Sequence, residues 1–301
     1  MAEQYVALTG RGVVGIAGPD RAAFLQGLVS NDVAAAGPDR AVYAALLTPQ
    51  GKFLHDMLVW EDGERLLLDV ESERRADLLK RLRLYKLRSR IELLDLDDRY
   101  AVYALPGVPP ALLGLGSDPG AAKPLGGGLV AVDPRLAALG LRAVLPRDGG
   151  LTALEDAGLE PGPFTRWDLQ RLRLGVPDGS RDLVVEKAIL LENNLDALRA
   201  VAWDKGCYMG QELTARTRYR GLIRKRLLPV RVEGALPPPG TPVTRAGAEV
   251  GEVRSGDADR ALALLRLDAL GREGALEAAG ARLHPEPPDW LPAEALNPPA
   301  G

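Results

Sequence analysis

Short apolar runs alternate with clusters of turn-forming residues along most of the chain. Residues 5–8 and 13–16 read as strands, and Gly18-Pro19-Asp20 ends the second and caps a helix over about 20–29. Apolar runs at 41–48 and 53–60 are joined by Pro49-Gln50-Gly51, which predicts a hairpin. A second turn at 61–64 leads into Leu66-Leu67-Leu68-Asp69-Val70. Leu78, Leu79, Leu82 and Tyr85 then fall at helical spacing, with Arg and Lys between them. Strands return at 91–94 and 100–105, a Pro/Gly-rich connector covers 106–128, and short strands follow near 129–132 and 142–145. A helix over about 163–174 stops at Gly175 and Pro177.

From about residue 226 the pattern becomes short β runs at 227–232, 248–253 and 261–267, the spacing of a small sandwich or barrel. The fold class expected is α+β, because neighbouring strand pairs carry interspersed helices. The division expected is an α+β region over 1–225, a β domain over 226–284 and a proline-rich, extended tail over 285–301.

Composition narrows the chemistry. With 301 residues the chain can bury a sizeable core, and 46% apolar with 26% charged residues is ordinary for a globular protein. A net charge of -3 confines any affinity for polyanions to a local patch. One cysteine and two histidines exclude a Cys₄ zinc or iron–sulfur site and a His-rich metal centre within the chain, so no resident metal is expected. Glu3 and Arg11 stand where a secretory signal would need an apolar run, and the longest uncharged stretch, 101–117, holds three prolines and three glycines. A cytoplasmic protein with no membrane partner is the expectation.

Three patterns invite a functional reading. Gly10-Arg11-Gly12-Val13-Val14-Gly15 spells GxGxxG, but Gly18-Pro19 would cut the helix that a dinucleotide site needs, so a turn between two strands is the simpler reading. No Walker site is present, since neither Gly51-Lys52 nor Gly126-Gly127-Gly128 completes the phosphate-loop pattern. Residues 74–90 form a basic helix, readable as a solvated face or an anion-binding one. Three phenylalanines in the whole chain argue against a base-stacking platform, and direct RNA binding is not expected.

The densest constellation is Lys205-Gly206-Cys207-Tyr208-Met209-Gly210-Gln211-Glu212. From 205 to 226 there are seven basic residues and one acid, Glu212. Cations around a thiol favour its thiolate, giving a nucleophile or soft-metal ligand. The alternative is a buried structural cysteine, although the polar stretch around it does not read as a core strand.

KGCYMGQELTAR (205–216), continued by TRYRGLIRKRLLPV (217–230), resembles the hallmark of the YgfZ family, folate-binding iron–sulfur maturation proteins related to the glycine-cleavage T-protein. It is closer to the branch that includes the mitochondrial iron–sulfur assembly factor of eukaryotes. FLQGLVSND (24–32), LTPQGKFLHD (47–56), RLRLYKLRSR (81–90) and RLRLGVPD (171–178) support it in the expected order. The resemblance implies two interlocked α+β subdomains that bind tetrahydrofolate, plus a C-terminal β-barrel. It implies Cys207 as the reactive residue and Trp167, Asp56, Lys205, Tyr208, Gln211, Glu212 and Arg216 as residues of the folate site. Implied partners are iron–sulfur client enzymes and cluster carrier proteins, with tRNA methylthiolation reached through a cluster-containing client. One departure stands out: Arg173 replaces the glutamate by which the T-protein recognises the pterin, and a guanidinium cannot accept the pterin N–H donors. A folate-dependent aminomethyl or one-carbon transferase is the alternative reading.

Overall fold

A computed structural model describes residues 3–221, 223–271 and 273–297. They divide into two compact units, each assembled from three segments of chain. The first comprises Met1–Leu47, Leu54–Trp167 and Arg199–Met209, and the second Thr48–Phe53, Asp168–Leu198 and Gly210–Gly301.

In the first unit, β1 (Gln4–Ala7) and β2 (Arg11–Ala17) precede a short helix α1 (Arg21–Gln26). The strands β3 (Val42–Leu47), β4 (Phe53–Asp62) and β5 (Arg65–Glu71) lead to α2 (Arg75–Lys86), followed by β6 (Glu92–Asp95) and β7 (Tyr100–Leu105). After them come β8 (Ala122–Leu125), β9 (Gly128–Val132), β10 (Leu141–Pro146), α3 (Thr152–Asp156) and β11 (Glu160–Pro161). Helix α4 (Phe164–Arg173) follows, and its residues up to Trp167 belong to this unit.

Two sheets result. One runs β3-β4-β5-β2-β6, the other β11-β1-β7-β10-β9-β8. The first contains the long antiparallel register from Arg11↔Glu71 to Ala17↔Arg65, and the second that from Leu141↔Leu105 to Pro146↔Tyr100. Both bury aliphatic side chains at strand spacing; Leu105, Val130, Val132, Leu141 and Leu145 form one core with Leu154 of α3. The GxGxxG stretch is a turn followed by β2, so it opens no helix.

The Asp20 cap is corrected. Asp20 sits at the N-cap of α1, but its side chain makes no capping bond and instead accepts the backbone N–H of Arg90 at 2.8 Å. The helix ends at Gln26, well short of residue 29.

The second unit contains α5 (Gln211–Tyr219) and a closed six-stranded barrel. Its strands are β12 (Lys225–Glu233), β13 (Pro242–Arg245), β14 (Ala248–Asp257), β15 (Arg260–Arg266), β16 (Leu276–Ala278) and β17 (Ala281–Pro285), with a short helix α6 (Leu267–Leu270) after β15. Barrel order is β12-β15-β14-β13-β16-β17, and β12 closes it by pairing with β17 from Val230↔Pro285 to Glu233↔Arg282. Two-residue turns at Ala246-Gly247 and Ala279-Gly280 have positive φ at both positions, the geometry that matches strand twist. Past β17, Leu291 is buried in the barrel core and Trp290 packs against it, so the proline-rich stretch is anchored there. Residues 298–301 of the expected tail lie outside the described residues.

Candidate functional site

The cysteine loop is held by a segment that the sequence placed far from it. Lys205 directs its ammonium at three backbone carbonyls: Gln26 O at 2.8 Å, Val29 O at 2.8 Å and Asn31 O at 2.6 Å. Those acceptors lie in the FLQGLVSND stretch. The backbone N–H of Met209 donates to Gly27 O, and that of Ala202 to Ser30 O. Ser30 Oγ donates to Ala200 O at 2.5 Å, and Asn31 Nδ2 donates to Arg199 O at 2.7 Å. The Lys205 ammonium also lies 5.3 Å from the Tyr208 ring centroid, within cation–π range. Burial lowers its pKa to about 8, with the Asp32 charge opposing.

All three Lys205 donors are thus used to shape the loop. At its turn Cys207 is exposed, which removes the reading as a buried core cysteine.

On the far side of the motif, in the second unit, Gly210 adopts φ +80° as the N-cap of α5. Gly51, at φ +78° in the Pro49-Gln50-Gly51 turn, sits against it. A Cβ on Gly51 would lie 2.6 Å from Leu213 Cβ and 2.7 Å from Gly210 O, so only glycine fits. Helix α5 turns Thr214 and Thr217 inward, while Glu212 and Arg216 are exposed and Gln211 is half-buried.

A second constellation, in the first unit, is buried. Arg11 Nε donates to Asp69 Oδ1 and Arg142 Nε to Asp69 Oδ2, both at 2.7 Å. Arg135 makes a bidentate pair with Asp133 at 2.9 and 2.7 Å. Tyr43 donates its hydroxyl to Asp56 Oδ2 at 3.0 Å, and Arg11 Nη1 lies 3.5 Å from Asp56 Oδ1. Three guanidinium and three carboxylate groups share this interior. Burial alone would push the Asp69 carboxyl up, but Arg11 and Arg142 hold it below the ordinary carboxylate value. Burial and the Asp56 charge push the Tyr43 phenol well above its usual value.

Two polar atoms in this cluster lack hydrogen bonds: Asp56 Oδ1, an acceptor, and Arg142 Nη1, a donor. Trp167 is 2% exposed, with the Arg142 guanidinium 5.9 Å from its ring centroid and the Phe164 ring 5.7 Å away. Of the sequence-predicted residues, Asp56 and Trp167 therefore adjoin one buried network. Lys205 and Tyr208 belong to the cysteine loop, and Gln211, Glu212 and Arg216 to α5.

Sequence reasoning missed Arg11, Asp69, Asp133, Arg135 and Arg142. Their signal was a charge set within an apolar strand run, as in Leu-Arg-Ala-Val-Leu at 141–145, which is rare unless the charge is paired. The RLRLG segment splits by burial. Arg171 is fully buried and donates to Asp168, Asp182 and Ser255, joining α4 to β14 within the second unit, whereas Arg173 is exposed. No group of three or more metal-binding side chains, and no helix long and apolar enough to cross a membrane, occurs among the described residues.

The two sheets and the closed six-stranded barrel have the fold of the glycine-cleavage T-protein class. The fold of aminomethyltransferase T from Bartonella henselae covers 99% of this chain and 88% of that one with a TM-score of 0.74 at 14% identity. Residues 224–293 match the C-terminal beta-barrel domain of CAF17. The mitochondrial iron–sulfur cluster assembly factor IBA57 of Homo sapiens is 37% identical over 95% of this chain and 84% of its own length, and that of Mus musculus 35% over 96% and 85%. The Neurospora crassa homologue is 34% identical, and the match spans about half (54%) of its length. The chain belongs to the IBA57 family of iron–sulfur cluster assembly factors.

The resemblance to YgfZ is thereby refined to IBA57 relatives. The cytoplasmic expectation is overturned, because these relatives are mitochondrial by name. Its premise tested only for a secretory signal, whose apolar core differs from the basic amphipathic leader of mitochondrial import.

Proposed function

We propose that the protein assists iron–sulfur cluster assembly or repair on client enzymes, with Cys207 as the group that meets the cargo. The observation that carries this is the exposure of Cys207 on a loop that Lys205 anchors to three backbone carbonyls. One thiol cannot hold a cluster, whose irons need several ligands. The remaining ligands would come from a carrier or client, so contact is transient. Tyr208 and the carbonyl-bound Lys205 serve as positioning residues for the loop.

Tetrahydrofolate suits the buried network of the first unit. Asp56 Oδ1, which faces Arg11 but accepts no hydrogen bond, and the Arg142 Nη1 donor complement a pterin edge, which presents N–H donors and a carbonyl acceptor. Trp167 lies beside them. When bound, tetrahydrofolate supplies a reduced pterin able to carry a one-carbon unit. Arg173 is exposed and takes no part in this network, which favours an assembly role over aminomethyl transfer. Any effect on tRNA methylthiolation would pass through a client that carries a cluster.

The test is Cys207→Ser in a deletion strain, reading the activity of cluster-dependent enzymes together with the melting temperature of the purified variant. Loss of those activities with an unchanged melting temperature is expected. Full complementation by the serine variant would refute a role for the thiol.

A further inference from the structure

Helix α2 has an outer face that a solvated helix should not have. Its core face buries Leu78, Leu79 and Leu82. On the opposite side, one helical turn apart, stand Leu84, 69% exposed, and Leu87, 88% exposed. Leu87 is the C-cap, with φ 42° and ψ -113°, a backbone region that a branched side chain enters only with strain. Glycine is the usual residue at such a helix end. The strain holds a large apolar side chain out in water, where it gains nothing from the chain's own core.

Four cations frame these leucines. Lys80 and Arg83 share their face, and Lys86 and Arg88 flank Leu87 in sequence. None of the four has an ion-pair partner among the described residues. Elsewhere on the same helix the basic residues are paired, Arg75 with Asp95 and Arg81 with Asp77. In a chain of net charge -3 this is a local concentration of unspent positive charge.

We propose that the tip of α2 is a docking knob for a cluster-carrying protein partner, which receives Leu84 and Leu87 in an apolar socket rimmed by Asp and Glu. This rests on the assembly role proposed above. Apolar anchors enclosed by a charged rim are the usual anatomy of a protein interface. A nucleic acid would use the cations but gain nothing from two aliphatic knobs. A membrane-bound helix would need an apolar face along its length, whereas Leu78, Leu79 and Leu82 of α2 are turned into the core.

The test places a photo-cross-linking residue, p-benzoylphenylalanine, at 84 or 87 of the full chain in living cells. The expected product is a discrete protein adduct, mapped to an iron–sulfur protein at a peptide where Asp or Glu borders apolar residues. Arg83→Glu combined with Lys86→Glu should reduce it at least tenfold while lowering the melting temperature by only a few degrees, since neither residue is ion-paired and each loses only its interaction with the C-terminal dipole of α2. Four outcomes would overturn the proposal: no adduct, an adduct with lipid or with nuclease-sensitive material, a protein that carries no cluster, or an adduct that survives charge reversal. If cross-linking fails while Cys207→Ser still abolishes cluster-dependent activity, this surface assignment falls and the assembly role stands.

Discussion

Asp69 is the shared counter-charge of the buried network, so its replacement reads out how dry that network is. Its carboxylate receives Arg11 Nε and Arg142 Nε at 2.7 Å, and its backbone carbonyl receives Arg11 Nη2 at 2.8 Å. Asp69→Asn keeps the shape and removes the charge. Breaking one buried pair costs about 3–5 kcal/mol, because the partner is left as an uncompensated charge. The second pair adds less than its full value, since Arg11 retains Asp56 at 3.5 Å. A net loss of about 4 kcal/mol is a large share of the roughly 5–15 kcal/mol that stabilises a folded protein. At about 2–4 °C per kcal/mol for a unit of this size, the transition should fall by roughly 8–16 °C.

Scanning fluorimetry on tryptophan emission measures this directly, because Trp167 lies under Arg142. A companion variant sharpens the reading. Asp69→Leu with Arg142→Met removes the charge together with one partner and should recover most of the loss. A fall below about 2 °C for Asp69→Asn would refute the argument, since it would mean that water screens these charges.

Three further outcomes are expected. Tetrahydrofolate should quench tryptophan emission, and Trp167→Phe should abolish most of the quenching; undiminished quenching would place the folate elsewhere. His55 is 1% exposed, its Nε2 lies 2.9 Å from Asp77 Oδ2, and burial and the Arg74 charge lower its pKa to about 4 against the opposing pull of Asp77. The folded chain thus prefers neutral histidine, so stability is complete above pH 6.5 and falls by about 3 kcal/mol as pH drops toward 4; urea midpoints for His55→Gln should be flatter across that window, and an unchanged pH slope would refute the assignment. Gly51→Ala should loosen the start of α5, raising amide exchange at 211–214 at least tenfold; unaltered exchange would show that the turn yields without disturbing the helix.

The strands were legible because aliphatic runs and turn residues agree locally. Pro49-Gln50-Gly51 marked its hairpin and 226–284 its barrel spacing. Helix α5 was not legible. Its buried positions are Thr214 and Thr217, so no apolar stripe announces it, and only the glycines at its two ends mark it, Gly210 at the N-cap and Gly221 after the C-cap. The connector at 106–128 conceals β8, an edge strand interrupted by Pro124 whose residues are mostly half-buried. The cysteine was singled out by its surroundings, but the role of Lys205 was not, because its three acceptors lie more than 170 residues away and are backbone atoms that leave no sequence signature.

That last point bears on how the motif is built. Two upstream segments hold KGCYMGQE and the residue after it: FLQGLVSND receives Lys205 and Met209, and the Gly51 turn packs against Gly210 and Leu213. Cys207, at the centre, is left exposed by this arrangement, as is its neighbour Gly206. Backbone carbonyls fix the lysine whatever side chains their residues carry, so this anchoring constrains the path of 26–31 more than its composition. On the role proposed for Cys207, a thiol that reaches another protein's cluster needs a rigid base and an open approach. The loop provides the first through Lys205 and the second through Cys207, and the two demands fall on residues only two positions apart.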